Sequence, residues 1–172
     1  TGRVSARQSP DAADPVTATA RTDEGLARLR EAGAHALRLD VADPASASGL
    51  GWQLDGEKID IALYVAGVYS TAGATEPPTR EAFDRVMHAN VLGAMQVIPQ
   101  VAPGVAEAGG RFGFISSQMG CIGQVHSSFG WTYRVSKAAL NMAGAAASHD
   151  YPGAILLVLS PRWGRTDMGG PS

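Results

Sequence analysis

Two patterns of apolar residues alternate along this chain. Short runs rich in β-branched, aromatic and aliphatic side chains lie at 16–20, 36–39, 59–65, 112–115 and 154–159. Such runs, bounded by glycine, proline and aspartate, predict buried strands. Between them apolar residues recur every three or four positions and predict helices. The first helix opens on Asp23 as N-cap and stops at Gly33. The second has Asp43 as N-cap and Pro44 in its first turn, and runs towards Leu54. Thr79 caps a third, with Glu81 in its first turn. Along it Phe83, Val86, Met87, Val91, Leu92, Met95 and Ile98 keep helical spacing. Pro99 and Pro103 are expected to kink or end it. A fourth helix opens near Thr132 and continues through an alanine-rich stretch to Ala147. Residues 1–15 read as irregular and 161–172 as loop.

Strand–helix alternation with apolar strands predicts an α/β fold, a doubly wound, Rossmann-like parallel sheet with helices on both faces. At 172 residues the chain is expected to form a single domain over 1–172. Ligands of such sheets bind at the carboxyl ends of the strands. The residues there are Arg21, Asp40, Gly67, Ser117 and Pro161. Strand ends also need turn residues, which accounts for the glycine and the proline but poorly for Ser117.

Composition narrows the function classes. A net charge of −2 and a pI near 6.0 give no support for binding nucleic acid or an anionic membrane. No run of about 18 apolar residues suggests a membrane span. Cys121 is the only cysteine, so no internal disulfide can form; a reducing, cytoplasmic setting is expected. His35, His88, His126 and His149 are scattered without zinc spacing, so no metal site is expected.

The candidate chemistry lies after the 112–115 strand. That strand ends in two serines, and the following helix carries Tyr133 and Lys137 one turn apart, on one face. A cation beside a phenol stabilises the phenolate and lowers its pKa from about 10. A tyrosine so tuned can pass a proton to or from an alcohol or carbonyl, while the strand-end serine bonds the same oxygen. With four tyrosines and only two lysines in the chain, a Tyr-x-x-x-Lys is expected by chance roughly 0.05 times. The other reading of the pair alone is a solvated lysine beside a core tyrosine.

Several segments in order resemble the short-chain dehydrogenase/reductase family, and in wording its C-factor-like branch. They are Ala18-Thr-Ala-Arg21, Leu39-Asp-Val41, Val65-Ala-Gly67, Asn90-Val-Leu-Gly93, Ile115-Ser-Ser117, Tyr133-x-x-x-Lys137 and Arg165-Thr-Asp-Met-Gly-Gly170. The resemblance implies an NAD(P)-dependent oxidoreductase acting on a small alcohol or carbonyl substrate. It makes Tyr133 the acid/base, Lys137 its tuner and a ribose ligand, and Ser117 the group that orients the substrate oxygen. It gives Asn90 a proton-relay water to hold, and sets Asp40 and Val41 beside the adenine. Ala66 and Gly67 would border the adenine ribose, and Thr166 would contact the nicotinamide amide or a phosphate. Arg21, at the end of the first strand, suits the 2′-phosphate of NADP(H) over NAD(H), although Asp23 follows it. The helices that open at Thr79 and near Tyr133 would pair across a two-fold axis in a homo-oligomer. Tight packing of the small residues on their own sheet is the competing reading.

The chain also departs from that family. The family's Thr-Gly-x-x-x-Gly-x-Gly phosphate loop is not matched by Thr1-Gly2-Arg3, and no further glycine precedes Gly25. Tyr64-Val-Ala-Gly67 stands for Asn-Asn-Ala-Gly, and Pro161-Arg-Trp-Gly-Arg-Thr166 for Pro-Gly-x-Val-x-Thr. The domain is therefore expected to be incomplete at both ends. A protein without a working nucleotide site would instead use the same trio for dehydration, cyclisation or isomerisation, or serve as a non-catalytic scaffold.

Overall fold

A computed structural model describes residues 14–161. Five parallel strands alternate with helices. The strand β1 (Thr17–Ala20) pairs with β2 (His35–Arg38), and β3 (Ile61–Tyr64), β4 (Arg111–Ile115) and β5 (Ile155–Leu159) pair in that order. All five predicted runs are strands, with ends that differ by a residue or two. Among the described residues they form a two-stranded and a three-stranded sheet rather than one continuous sheet.

The helix α1 (Asp23–Glu31) is capped by Thr22, not Asp23: the Thr22 hydroxyl accepts from the Gly25 amide at 3.2 Å. Asp23 falls in the first turn, where its charge suits the helix dipole. Gly33 takes the left-handed turn at φ 83°. Asp43 caps α2 (Pro44–Ser48) as expected, but the helix breaks at Gly49 before α3 (Leu50–Gln53).

The third predicted helix divides at a π-helical turn. Thr79 caps α4 (Arg80–Met87), His88–Leu92 form the π turn, and α5 (Gly93–Ala108) follows. Pro99 and Pro103 were expected to kink or end the helix; they do not end it, because α5 runs through both to Gly109. Both prolines lie on the exposed side, in line with exposed Met95. Their missing amides leave the carbonyls one turn earlier on the solvent side, where water can serve them. The opposite side, with Val97, Ile98, Val101, Ala102 and Val105, is buried and holds the helix to the sheet.

The core joins α5 to Phe112 and Phe114 of β4, Tyr64 of β3 and Leu140 of α6 (Trp131–Ala147). Gly144 of α6 lies against β4 and β5; a Cβ there would stand 3.1 Å from Val158 Cγ2 and 3.4 Å from Phe114 Cδ2. Helices were expected on both faces. Among the described residues, the face of the three-stranded sheet that carries Ile61, Leu63, Ile155, Leu157 and Leu159 is exposed. No described helix is long and apolar enough to cross a membrane.

Candidate active site

The strands run parallel, so their carboxyl ends gather on one edge. The end of β4 leads into Ser116 and Ser117, whose side chains part. The buried Ser116 hydroxyl donates to Asn141 Oδ1 of α6 at 2.5 Å, and Asn141 donates on to the Gly120 carbonyl. Gly120 lies flush on the same helix, where a Cβ would stand 2.7 Å from the Lys137 carbonyl carbon. Ser116 thus fastens α6 to β4, and Ser117, the second serine, is left at the site.

Tyr133 and Lys137 are both buried, one turn apart on α6. The Lys137 ammonium lies 5.5 Å from the centre of the Tyr133 ring and donates to the Ile115 carbonyl at 2.7 Å. Burial holds Lys137 down to about 8 from its ordinary 10.5. The Tyr133 phenol is not lowered in this arrangement, contrary to the tuning expected of Lys137. Burial raises it, the Ser117 hydroxyl hydrogen-bonding to it works the other way, and Tyr69 raises it further. The uncompensated burial outweighs a cation that already serves a backbone carbonyl.

Tyr69 was missed in the sequence; its one signal is an aromatic two residues past the Val-Ala-Gly turn. Its ring stands edge-on to that of Tyr133, with centroids 4.8 Å apart and planes at 79°.

Asn90 is fully buried in the π turn and clamps the loop below Tyr69. Its Oδ1 accepts from the Val68 amide at 2.7 Å. Its Nδ2 donates to the Val68 carbonyl at 3.0 Å and to Ser136 Oγ at 2.9 Å. Both amide hydrogens are spent, and the side chain ties β3's exit loop to α6. Gly67 is where these groups meet. A Cβ there would lie 3.2 Å from Asn90 Oδ1 and 3.6 Å from Lys137 Nζ.

The π turn has its own brace. The Gly93 amide donates to the His88 carbonyl, one residue further back than in an α-helix, which leaves the Ala89 carbonyl free. Tyr64, at the family's asparagine position, donates its hydroxyl to that carbonyl at 2.8 Å. Gly93 makes room: a Cβ would stand 2.7 Å from Tyr64 Oη, 2.8 Å from the Val41 carbonyl and 2.9 Å from Val41 Cβ.

The remaining expected residues form a second group. Val41, half-buried, thus packs on the start of α5, and Ala66 packs against the core. The Asp40 carboxylate accepts from the Ala42 amide at 3.0 Å, a turn built on its own backbone. Arg21 is exposed at the exit of β1. Thr166 and Thr1-Gly2-Arg3 lie outside the described residues. Among the described residues, no group of three His, Cys, Asp or Glu side chains could hold a metal.

The loop 118–131 carries the apolar residues Met119, Val125 and Phe129. A cavity of about 500 Å³ is lined by Met119, Ile122, Val125, Trp131, Val135 and Ala138, among others; Phe129 is not among them. It opens beside α6, and neither Tyr133 nor Lys137 lines it.

Comparison with known proteins bears on this arrangement. The model of a family described as short chain dehydrogenase matches residues 5–168. The C-signal protein of Myxococcus xanthus is 33% identical over 116 residues, covering 66% of this chain and 70% of that protein. The 1-hydroxy-2-glutathionyl-2-methyl-3-butene dehydrogenase of Rhodococcus sp. (strain AD45) is 32% identical over 136 residues, 76% of this chain and 58% of that one. Among solved structures, a short-chain dehydrogenase/reductase of Burkholderia multivorans with bound NADP superposes with a TM-score of 0.78 at 29% identity. That match covers 91% of this chain and 72% of its counterpart. The chain therefore spans between 58% and 72% of the length of these relatives.

Proposed function

This chain belongs to the short-chain dehydrogenase/reductase family of oxidoreductases, and on that premise we propose that it interconverts an alcohol and a carbonyl compound with NADP(H). Ser117, Tyr133 and Lys137 carry the reaction in this reading. The observation behind it is that Tyr133, on a buried helical turn, has Ser117 close enough to work against the effect of burial on its phenol and the Lys137 ammonium beside its ring.

The described residues fit part of a dinucleotide. Gly67, with no Cβ between Asn90 and Lys137, lets a ligand approach the backbone closely, and Arg21, Asp40, Val41 and Ala66 line the neighbouring strand exits. These residues, with Lys137, would hold the nucleotide, and Thr166 would join them. When bound, the nicotinamide supplies or accepts the hydride.

The protein supplies the proton. A phenol raised by burial is fully protonated near neutral pH, ready to act as acid towards a carbonyl oxygen. Ser117 donates to the same oxygen and polarises the carbonyl. As the proton leaves, the adjacent Lys137 ammonium stabilises the phenolate in a poorly solvated site. In the oxidative direction the phenolate takes the alcohol proton. Asn90 positions this machinery by pinning the 67–69 loop to α6.

A homo-oligomer accompanies this reading. Exposed Phe83 of α4 and Trp131 and Val135 of α6 line a cavity of about 140 Å³ between the two helices, an apolar surface suited to a second copy. Light scattering at micromolar concentration should give more than one copy per particle.

The deciding experiment is Tyr133→Phe, assayed for NADPH-dependent reduction of a panel of small aldehydes and ketones. A fall of about 10²–10⁴-fold in turnover, with an unchanged circular dichroism spectrum, is expected for loss of a general acid. Turnover at the wild-type rate would overturn the assignment.

A further inference from the structure

The exits of β1 and β2 bring two arginines together, and only one of them was expected to act on a ligand. Arg38 is the register partner of Ala20, the residue before Arg21. Its guanidinium crosses to the neighbouring exit: Nη1 donates to the Arg21 carbonyl at 2.9 Å, and Nη2 pairs with the Asp23 carboxylate. Glu24, the other acid in the first turn of α1, pairs with Arg28. Among the described residues Arg21 itself enters no ion pair. Every carboxylate on this turn is therefore matched by an arginine other than Arg21.

Asp23 is the group that would oppose a phosphate dianion at Arg21, standing two residues away on an exposed turn. Without Arg38 the turn would hold one arginine against one unpaired aspartate; with it, the turn is net positive. The same guanidinium fixes the Arg21 backbone. We infer that Arg38 is a positioning residue for nucleotide choice: by masking Asp23 and holding the Arg21 carbonyl, it lets Arg21 favour a ribose 2′-phosphate. This rests on the nucleotide reading above.

The test measures NADPH and NADH affinity by titration for the full-length wild type, Arg38→Ala, Asp23→Asn and the double variant. Arg38→Ala should weaken NADPH about two- to fivefold, the upper range for an exposed charge interaction, and leave NADH essentially unchanged. Asp23→Asn in the Arg38→Ala background should recover most of the NADPH loss, since no carboxylate is left to mask. Raising the salt concentration should shrink the difference. An unchanged NADPH-to-NADH ratio in Arg38→Ala overturns the inference. So does an NADPH loss that Asp23→Asn does not recover, which would put Arg38 in direct contact with the phosphate, or an equal loss for both nucleotides, which would make it merely structural. Binding of neither nucleotide by the wild type would instead remove the dehydrogenase reading itself.

Discussion

The Lys137 ammonium is fixed to the end of β4 by a 2.7 Å hydrogen bond to the Ile115 carbonyl, inside a site that leaves the residue almost no solvent. Its pKa, held down to about 8, makes that arrangement a pH-dependent cost. The unfolded lysine binds its proton up to about 10.5, so between pH 8 and 10.5 the unfolded state holds more protons and stability rises with pH. The shift corresponds to about 3 kcal/mol, present as a penalty below pH 8 and relieved above it. In Lys137→Met this rise should disappear. Thermal melts of the two proteins from pH 7 to 10 check it; parallel curves would show that Lys137 is not desolvated.

Asn90→Ala should lower stability by about 2–4 kcal/mol, because it strands the Val68 amide and carbonyl and removes the donor to Ser136 Oγ. Asn90→Asp should fare little better, since a carboxylate cannot donate to Val68 or Ser136. Urea denaturation of the three proteins measures this. An aspartate variant as stable as wild type would mean the clamp is not formed.

Gly93→Ala sets two terms against each other. Alanine gains about 1 kcal/mol of helix propensity. Its Cβ, however, falls inside 3 Å of the Tyr64 hydroxyl and of the Val41 backbone and Cβ, and overpacking costs about 1–3 kcal/mol. The backbone contact cannot rotate away, so net destabilisation is expected in chemical denaturation. Tyr64→Phe should lose about 1 kcal/mol or more by itself, through the unmet Ala89 carbonyl.

Pro99→Ala and Pro103→Ala should each raise stability. Each restores an amide on the exposed side of α5 where helical geometry already exists. The gain of up to about 3 kcal/mol in helix propensity exceeds the roughly 0.4–1 kcal/mol lost as the unfolded chain regains freedom. Melting temperatures of the single variants report it; a fall in both would mean that the prolines terminate the helix in solution.

What the sequence revealed follows from what is local. Tyr133 and Lys137 share a helical face whatever surrounds them, and the apolar runs that became β3, β4 and β5 are marked by their own composition. The prolines misled because their effect depends on which side of the helix meets solvent, and that is decided by the distant sheet. The π turn was invisible because its free carbonyl is answered by Tyr64, a residue that reads only as part of a strand. Lys137 misled for the same reason. Spacing sets it beside Tyr133, but the Ile115 carbonyl and burial decide the charge balance, and neither lies within the motif. Arg38 gave no signal because its partners, Arg21 and Asp23, belong to another strand's exit.

The crowding around Gly93 also constrains how this protein can vary over generations. Two neighbours, from the exits of different strands, stand where its side chain would begin, so no single replacement elsewhere clears the space. Changing position 64 or position 41 clears only part of it, because the Val41 carbonyl oxygen is backbone and stays whatever side chain stands there. Trimming residue 64 forfeits the brace on the Ala89 carbonyl. A chain that has acquired the phenol is thus committed to the glycine.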